Sequence, residues 1–527
     1  MNTKFTALAL LVAAQTAIAE DVYTVDATTT AEISLSAAGC ATDRIQFGRT
    51  NENHIKHRVT DATGTLENPF TFVGGYGGYV WSTSGLMDLP LRFDLDNAES
   101  TIFLRSSTGG SGGTYNCTES KSLSFVKGTV QLSNLTLTGS AAGPALMTLG
   151  TNTALSVHKL EPLTNSVVSV VDGGRVVAEV ANVSSCSVSQ PAIMRIRQAT
   201  VQVTQQTCQL ANNSSVDPTE GDSSCIFIIL EEGGVLQVPS VEHYRAPKAE
   251  IVFSGGKLKH DSSLANPEWI KPYLIHQTGT GRFTLLAETG PIVLDMDADL
   301  KLLKDDVWQG PMYLSGDRGF VKQGSGVLTM TKGSTGSIYL QVTGGVRVEG
   351  GAVRMTSACA FDPSNALAVE AGASFDLGGR DATFATLAGA GSVVSSEAAA
   401  VLTLASGADC EFAGRLGRGV TLDTADGECI SMAGLKVDGD DLGATIAHFR
   451  PTAGGVLDLT LPEGVTFDDF IGETGVDLLN IGDSADEANL AQWTVRVNGA
   501  VKRAARLRLT GGKLRLSLNR GLTMVFR

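Results

Sequence analysis

The sequence is short of charged, aromatic and proline residues for its length. Charged residues make up 18% of the 527 residues, aromatic residues make up 6%, and there are 15 prolines. Soluble proteins usually contain about 25% charged residues. A chain with so little charge and 43% hydrophobic residues can bury enough apolar surface to fold, which excludes an intrinsically disordered protein.

Long apolar runs and excess positive charge are also missing. Beyond residue 19, no stretch approaches the roughly 20 continuous apolar residues that a membrane-spanning helix needs, so no transmembrane segment is expected. The formal net charge is −15. A nucleic-acid-binding protein needs a basic face to neutralise phosphates, so nucleic acid is not an expected partner.

The N-terminus has the pattern of a cleaved signal peptide. Lys4 provides the positive charge, residues 5–14 are apolar apart from Thr6, and residues 17–19 form an Ala-Ile-Ala cleavage site. This combination is typical of secretory signals. We therefore expect residues 1–19 to be removed and the mature protein to be secreted or displayed at the cell surface.

The sequence contains no C-x-x-C motif, so the cysteines do not favour a zinc or thioredoxin-type site. The eight cysteines are Cys40, Cys117, Cys186, Cys208, Cys225, Cys359, Cys410 and Cys429. An even number in an exported chain predicts disulfides. The spacing favours local bridges among Cys186, Cys208 and Cys225, and between Cys410 and Cys429. The alternative is that some of these residues are small buried hydrophobes.

Glycine, by contrast, is abundant, with 60 residues that separate short alternating segments. Alternation of apolar and polar residues over four to eight positions is typical of strands with one buried face. The turns follow each other too closely for crossover helices, so the chain is predicted to be all-β. A capping box formed by Ser484 and Glu487 predicts one short helix over residues 488–493.

Between about residues 319 and 405 the pattern of strand, glycine turn and strand recurs with similar turns. One such unit cannot bury its apolar row alone, but stacked units form a continuous core. This pattern predicts a parallel β-helix, with an array of β-sandwiches as the alternative. The predicted regions after the signal peptide are an irregular β-solenoid over 20–317, the repeat region over 318–410, a β-rich region with a short helix over 411–495, and a basic C-terminal hairpin or cap over 496–527.

Four segments of the repeat region resemble the autotransporter-associated β-strand repeat, also called the passenger-associated transport repeat. They are residues 319–330, 342–355, 372–379 and 386–393, which cover less than a fifth of the chain. The resemblance implies a right-handed parallel β-helix in an exported, outer-membrane-associated surface protein, and it implies no catalytic residue. The hundred or so residues after Cys429 are too few and too irregular for the C-terminal barrel that usually follows such repeats.

Three acidic residues, Asp295, Asp297 and Asp299, are the candidate metal ligands. They alternate with Ile292, Leu294, Met296, Ala298, Leu300 and Leu302, which predicts one strand with the three carboxylates on the same face. Calcium could relieve the repulsion between these carboxylates. The alternative is a solvated acidic face without any ion.

An aromatic cluster around two Gly-Gly pairs gives the candidate ligand-binding residues Tyr76, Tyr79 and Trp81, close to Phe70 and Phe72. Exposed rings on a glycine-rich loop can stack on sugar faces. Packing in the core is the alternative for the same rings.

No catalytic residue is predicted. Residues 109–113 match the G-x-S-x-G motif, but no helical pattern follows them, and a nucleophile elbow requires a helix at that place. We therefore expect an exported, non-enzymatic β-helix protein with a role in adhesion or envelope structure, which would bind cell-surface polysaccharide or another envelope polymer and could self-associate through its solenoid ends. The alternatives are a polysaccharide lyase with Asp295, Asp297 and Asp299 at its site, and a carbohydrate-binding protein.

Overall fold

A computed structural model describes most of the chain. The described residues are 22–26, 32–34, 45–47, 51–53, 56–60, 63–74, 79–82, 89–95, 100–106, 114–184, 190–205, 208–210, 225–243, 248–262, 269–272, 282–302, 312–331, 338–356, 359–405 and 410–519. Two compact units are present. The first comprises Met1–Asn182 and Ser189–Gln202, and the second comprises Val183–Val188 and Val203–Arg527. The predicted signal peptide lies outside the described residues.

The strands of the first unit, of which β15 and β17 each end one residue beyond it, are β1 Val22–Asp26, β2 Glu32–Ser34, β3 Ile45–Phe47, β4 Asn51–Asn53, β5 Lys56–Thr60, β6 Phe70–Gly74, β7 Tyr79–Ser82, β8 Leu91–Leu95, β9 Thr101–Ser106, β10 Thr114–Cys117, β11 Leu123–Leu137, β12 Ala145–Leu149, β13 Thr153–Pro162, β14 Ser166–Val171, β15 Arg175–Val183, β16 Ala192–Arg197 and β17 Thr200–Val203.

The strands of the second unit up to its last coils are β18 Cys208–Leu210, β19 Cys225–Glu231, β20 Val235–Val238, β21 Val241–His243, β22 Lys248–Ser254, β23 Lys257–His260, β24 Ile270–Pro272, β25 Arg282–Ala287, β26 Ile292–Asp295, β27 Leu300–Lys301, β28 Met312–Gly316, β29 Phe320–Gln323, β30 Val327–Met330, β31 Ile338–Val342, β32 Val346–Val348, β33 Ala352–Met355, β34 Ala366–Val369, β35 Ser374–Asp376, β36 Ala382–Phe384, β37 Thr386–Gly389, β38 Ser392–Val394, β39 Ala400–Leu404, β40 Glu411–Phe412, β41 Arg415–Leu416 and β42 Val420–Thr424.

The C-terminal part of the second unit contains β43 Ile430–Asp438, β44 Thr445–Thr460, helix α1 Phe467–Ile471, β45 Val476–Ser484, a 3₁₀-helix Glu487–Gln492, β46 Thr494–Val497, β47 Ala500–Val501, β48 Ala505–Leu509 and β49 Lys513–Leu518.

Parallel pairing between strands of successive coils defines the fold of both units. In the first unit, β6, β8, β11, β12, β14 and β16 form one parallel face, and β5, β7, β9, β11, β13 and β15 form another. In the second unit, β28, β29 and β30 are successive sides of one coil, and β31 returns beside β28. The predicted parallel β-helix is therefore confirmed. Its parallel pairing joins the two predicted regions 20–317 and 318–410, because Ile292 of the first pairs with Phe320 of the second.

The core lies inside the coils and follows from the alternation in each strand. Positions that point inward are buried and their neighbours are not, as the pattern of β8 shows. In the first unit, Phe72, Phe93 and Phe125 are register partners on successive coils. Their rings stack at 5.3 and 5.4 Å between centroids. Each fully buried ring of this kind stabilises the fold by about 1.5–3 kcal/mol.

The end of the second unit changes from parallel to antiparallel pairing. Strand β44 pairs in parallel with β45 and β46, whereas β49 runs antiparallel to β45 and β47 antiparallel to β46. Strands β48 and β49 form the hairpin predicted from the sequence, in which Leu507 and Leu516 are buried register partners. The predicted C-terminal β cap is confirmed.

The short helix predicted after Ser484 forms as a 3₁₀-helix, Glu487–Gln492. Ser484 Oγ does contact the Glu487 carboxylate, but Asp486 is the N-cap and has a positive φ of 55°. Helix α1, which was not predicted, begins after Thr466, whose hydroxyl accepts a hydrogen bond from the Asp469 amide. Among the described residues, no helix is long and apolar enough to cross a membrane.

Candidate functional site

The three candidate carboxylates lie at a corner between two faces of one coil. The expected alternation is present, because Ile292, Leu294, Met296, Leu300 and Leu302 are buried, although Ala298 of the same row is only half-buried. However, the predicted single strand is wrong: β26 ends at Asp295 and β27 begins at Leu300, with a bend between them. Asp295 is thus on the flat side of the coil, and Asp297 and Asp299 are on the corner.

Each of these carboxylates contacts a neighbouring coil. Asp295 forms an ion pair with Lys257 at 2.7 Å. Asp297 accepts hydrogen bonds from the amide and hydroxyl of Ser325 at 3.1 and 3.2 Å. Asp299 accepts a hydrogen bond from the Val327 amide at 2.8 Å. The amide and hydroxyl of Ser325, together with Lys259 and Lys322, hold the pKa of Asp297 below its usual range. The acidic row therefore links coils to one another.

Lys322 is the residue of this corner that the sequence analysis did not single out. Its side chain is fully buried, at 0% exposure. Its Nζ donates hydrogen bonds to the carbonyl oxygens of Gly324 at 2.7 Å and Gly350 at 3.0 Å. Burial lowers the pKa of Lys322 from 10.5 to about 8, and the three aspartates oppose this shift. A lysine with a low pKa next to three carboxylates is also what a general base would need.

The geometry decides how these groups can act. The protons of Lys322 point at two backbone carbonyls, and its Nζ has no access to solvent, so a polymer outside the coil cannot reach it. Within the described residues, no group of three or more acidic, histidine or cysteine side chains is arranged to hold a metal ion. We name Asp295, Asp297, Asp299 and Lys322 the corner cluster.

Similar contacts between coils recur further along the second unit. Arg354 Nε lies 2.8 Å from Asp376, which is almost fully buried and also accepts hydrogen bonds from the amides of Gly378 and Ser396. Burial alone would raise the pKa of Asp376, but these donors together lower it. Arg415 contacts Asp438 at 2.9 Å in the same way. Charged pairs that bridge coils are thus a general feature of this unit.

The candidate aromatic residues Tyr76, Tyr79 and Trp81 can be placed only in part. Strand β7 contains Tyr79 and Trp81, but their side chains, and the whole of Tyr76, lie outside the described residues. Phe70 and Phe72 are fully buried, as core packing predicts.

A second aromatic pair was not predicted. Tyr313 and Tyr339 are register partners whose rings stack at 4.7 Å between centroids, and Tyr339 is 42% exposed. Only knowledge of the coil length would have aligned these two residues in the sequence.

The predicted disulfides are wrong for the cysteines that the structure describes fully. Cys117, Cys208, Cys410 and Cys429 are free thiols, so neither the Cys410–Cys429 bridge nor one that involves Cys208 is present. Burial in the core raises the pKa of the thiols of Cys117 and Cys208 to about 12 and that of Cys410 to about 11, so these three thiols stay protonated at neutral pH. These thiols pack as small apolar side chains. Cys359 is also buried.

Cys40 and Cys186 and the side chain of Cys225, which the predicted bridges also include, lie outside the described residues.

Thiol titration checks this assignment. Denatured, unreduced protein is expected to yield at least four thiols. In the native protein Cys429 should react first, because it is half-buried and the other three are buried. Mass mapping of the labelled peptides identifies each site. Fewer than four reactive thiols after denaturation would contradict the structure.

The comparisons with known proteins give no assignment: no family model, no curated protein and no solved structure matches this chain.

Proposed function

We propose that this protein is an exported, non-enzymatic β-helix that acts at the cell surface or outside the cell, in adhesion or in the structure of the envelope. Three features support the proposal: the signal-peptide pattern of residues 1–19, the resemblance of residues 319–393 to autotransporter passenger repeats, and the parallel β-helix itself. The expected partner is a cell-surface polysaccharide or another envelope polymer.

The burial of Lys322 is the main observation that supports a non-enzymatic role. A lyase needs a base and its acidic partners on the wall of a groove that admits the polymer. In the corner cluster the base is inside the coil and donates to Gly324 and Gly350, while Asp297 and Asp299 accept hydrogen bonds from the next coil. These groups stabilise the stacking of coils.

Carbohydrate binding is the second candidate function. The stacked Tyr313–Tyr339 pair supports it, since Tyr339 is 42% exposed and aromatic rings on a rigid strand can anchor a sugar.

An activity assay tests the proposal. The purified protein is expected to release no unsaturated sugar ends from a panel of acidic polysaccharides, with or without calcium, because its base is inaccessible. A known polysaccharide lyase on the same panel serves as the positive control. Release of unsaturated ends that disappears in Asp297→Ala and in Lys322→Met would overturn the proposal and make the lyase alternative correct.

A further inference from the structure

The basic residues of this acidic chain are concentrated at its C-terminal cap. Residues 496–527 contain nine lysines and arginines and no acid, so the preceding residues carry a net charge of −24, nine below the −15 of the whole chain. Charged side chains can protect an exposed edge strand from pairing with another chain, and a surface of one sign can also bind a partner of opposite charge.

The hairpin presents its charges on one face. In β48, Arg506 and Arg508 are exposed and alternate with the buried Ala505 and Leu507. The register places Arg508 directly opposite Arg515 of β49. Side chains in this position have their Cβ atoms about 5 Å apart, and like charges there destabilise a hairpin. Asp477, the register partner of Arg515 in β45, relieves part of this repulsion, and an anion bound beside Arg508 would relieve the rest.

The neighbouring groups neutralise this face only in part. The carboxylate of Asp477 forms ion pairs with both Lys513, at 3.1 Å, and Arg515, at 3.5 Å. Arg506 donates to the carbonyl oxygens of Arg503 and Ala505, which fixes its guanidinium without changing its charge. Among the described residues, Arg503, Arg506 and Arg508 form no ion pair.

One exposed aliphatic residue adjoins these charges in the sequence. Val501 is 54% exposed and immediately precedes Lys502 and Arg503. Lys502 lies over the ring of Phe467, with its Nζ 5.3 Å from the ring centroid. Basic side chains next to an exposed aliphatic residue are typical of surfaces that rest on lipid headgroups. A soluble polyanion would need the charges but not Val501.

We propose that the cap face formed by Val501, Arg503, Arg506, Arg508 and Arg515 docks on an anionic phospholipid surface. The negative charge of the rest of the chain does not prevent this, because charges more than about 8 Å away are screened at physiological salt. This inference rests on the proposed location of the protein in the cell envelope. Docking through the cap would attach the β-helix to a membrane surface there.

Co-sedimentation of the full chain with vesicles tests the inference. The protein is expected to pellet with phosphatidylcholine vesicles that contain about 30% phosphatidylglycerol and to stay in solution with pure phosphatidylcholine. At about 1 kcal/mol per basic residue near the surface, Arg506→Gln with Arg508→Gln should weaken binding about 30-fold. Arg506→Lys with Arg508→Lys keeps the charge and should keep binding. Val501→Ser should weaken binding several-fold.

Matched controls separate the cap from bulk charge. Arg380→Gln with Arg418→Gln removes two exposed arginines elsewhere in the second unit and should leave vesicle binding unchanged. Equal losses in both glutamine pairs, equal binding to the two kinds of vesicle, or arginine-dependent binding to soluble polygalacturonate without vesicle binding would each overturn the inference. The assay involves neither export nor turnover, so its failure is distinguishable from failure of the proposed function.

Discussion

Replacing Gly378 by alanine is expected to lower the free energy of unfolding by about 3 kcal/mol or more. Gly378 has a φ of +56°, and a Cβ on it would lie 1.7 Å from the carbonyl oxygen of Met355 on the preceding coil. The obstacle is backbone rather than a flexible side chain, so the two coils would have to separate. Because each coil of a solenoid depends on its neighbours, the damage should spread to the adjacent coils.

A second glycine in the same turn-rich segment provides the matched control. Gly372 has a φ of +85°, but a Cβ on it would meet no atom within 4 Å. Gly372→Ala should therefore cost only the strain of a left-handed alanine, about 1–2 kcal/mol. Urea unfolding of both variants measures the difference. Equal unfolding midpoints for the two variants would mean that the coils do not approach each other as closely as the structure shows.

The fold could be predicted from the sequence because its signals are local and repeated. Glycine-bracketed alternation, as in Val327–Met330, is enough to identify a strand with one buried face, and its recurrence identifies stacked coils. The corner at Asp297 could not be predicted in this way. Alternation continues through the bend from Asp295 to Leu300, so the pattern alone cannot show where a coil turns.

Only part of the candidate site could be predicted, because sequence patterns do not show which residues face each other on different coils. The acidic row was identified, but its partners are on other coils, and pairing across coils requires the register. Lys322 carried a usable signal, because it shares the inward parity of Phe320 in β29. A lysine at a core position has to donate to something buried. The disulfide prediction for Cys208, Cys410 and Cys429 failed because it used sequence spacing, and spacing does not show which cysteines the coils bring together.

The pH dependence of stability is the second large effect and follows from Lys322. Its pKa is 10.5 in the unfolded chain and about 8 in the fold, chiefly because of burial. Between these values the unfolded state binds more protons, so stability rises with pH across this window and is lost again as pH falls through about 8. The gain is about 1.4 kcal/mol between about pH 7 and about pH 9, and about 2.5 kcal/mol by about pH 10.

Other groups change stability in the opposite direction at high pH. The pKa of the buried thiol of Cys117 is raised from 9.0 to about 12 and that of Cys410 to about 11. Their contribution is lost as pH rises above about 9, because the unfolded thiols ionise first. A comparison of two proteins that share these cysteines removes this contribution from the result.

The difference in unfolding free energy between wild type and Lys322→Met, measured in urea from about pH 7 to about pH 10, tests the corner cluster most directly. If Lys322 is sealed inside the coil, wild type gains about 2.5 kcal/mol relative to the variant across this range. If Lys322 is instead exposed to solvent, burial does not lower its pKa, which then stays near 10.5 in the folded protein as well. The two stability curves would then run parallel, and that result would contradict the structural role of the cluster.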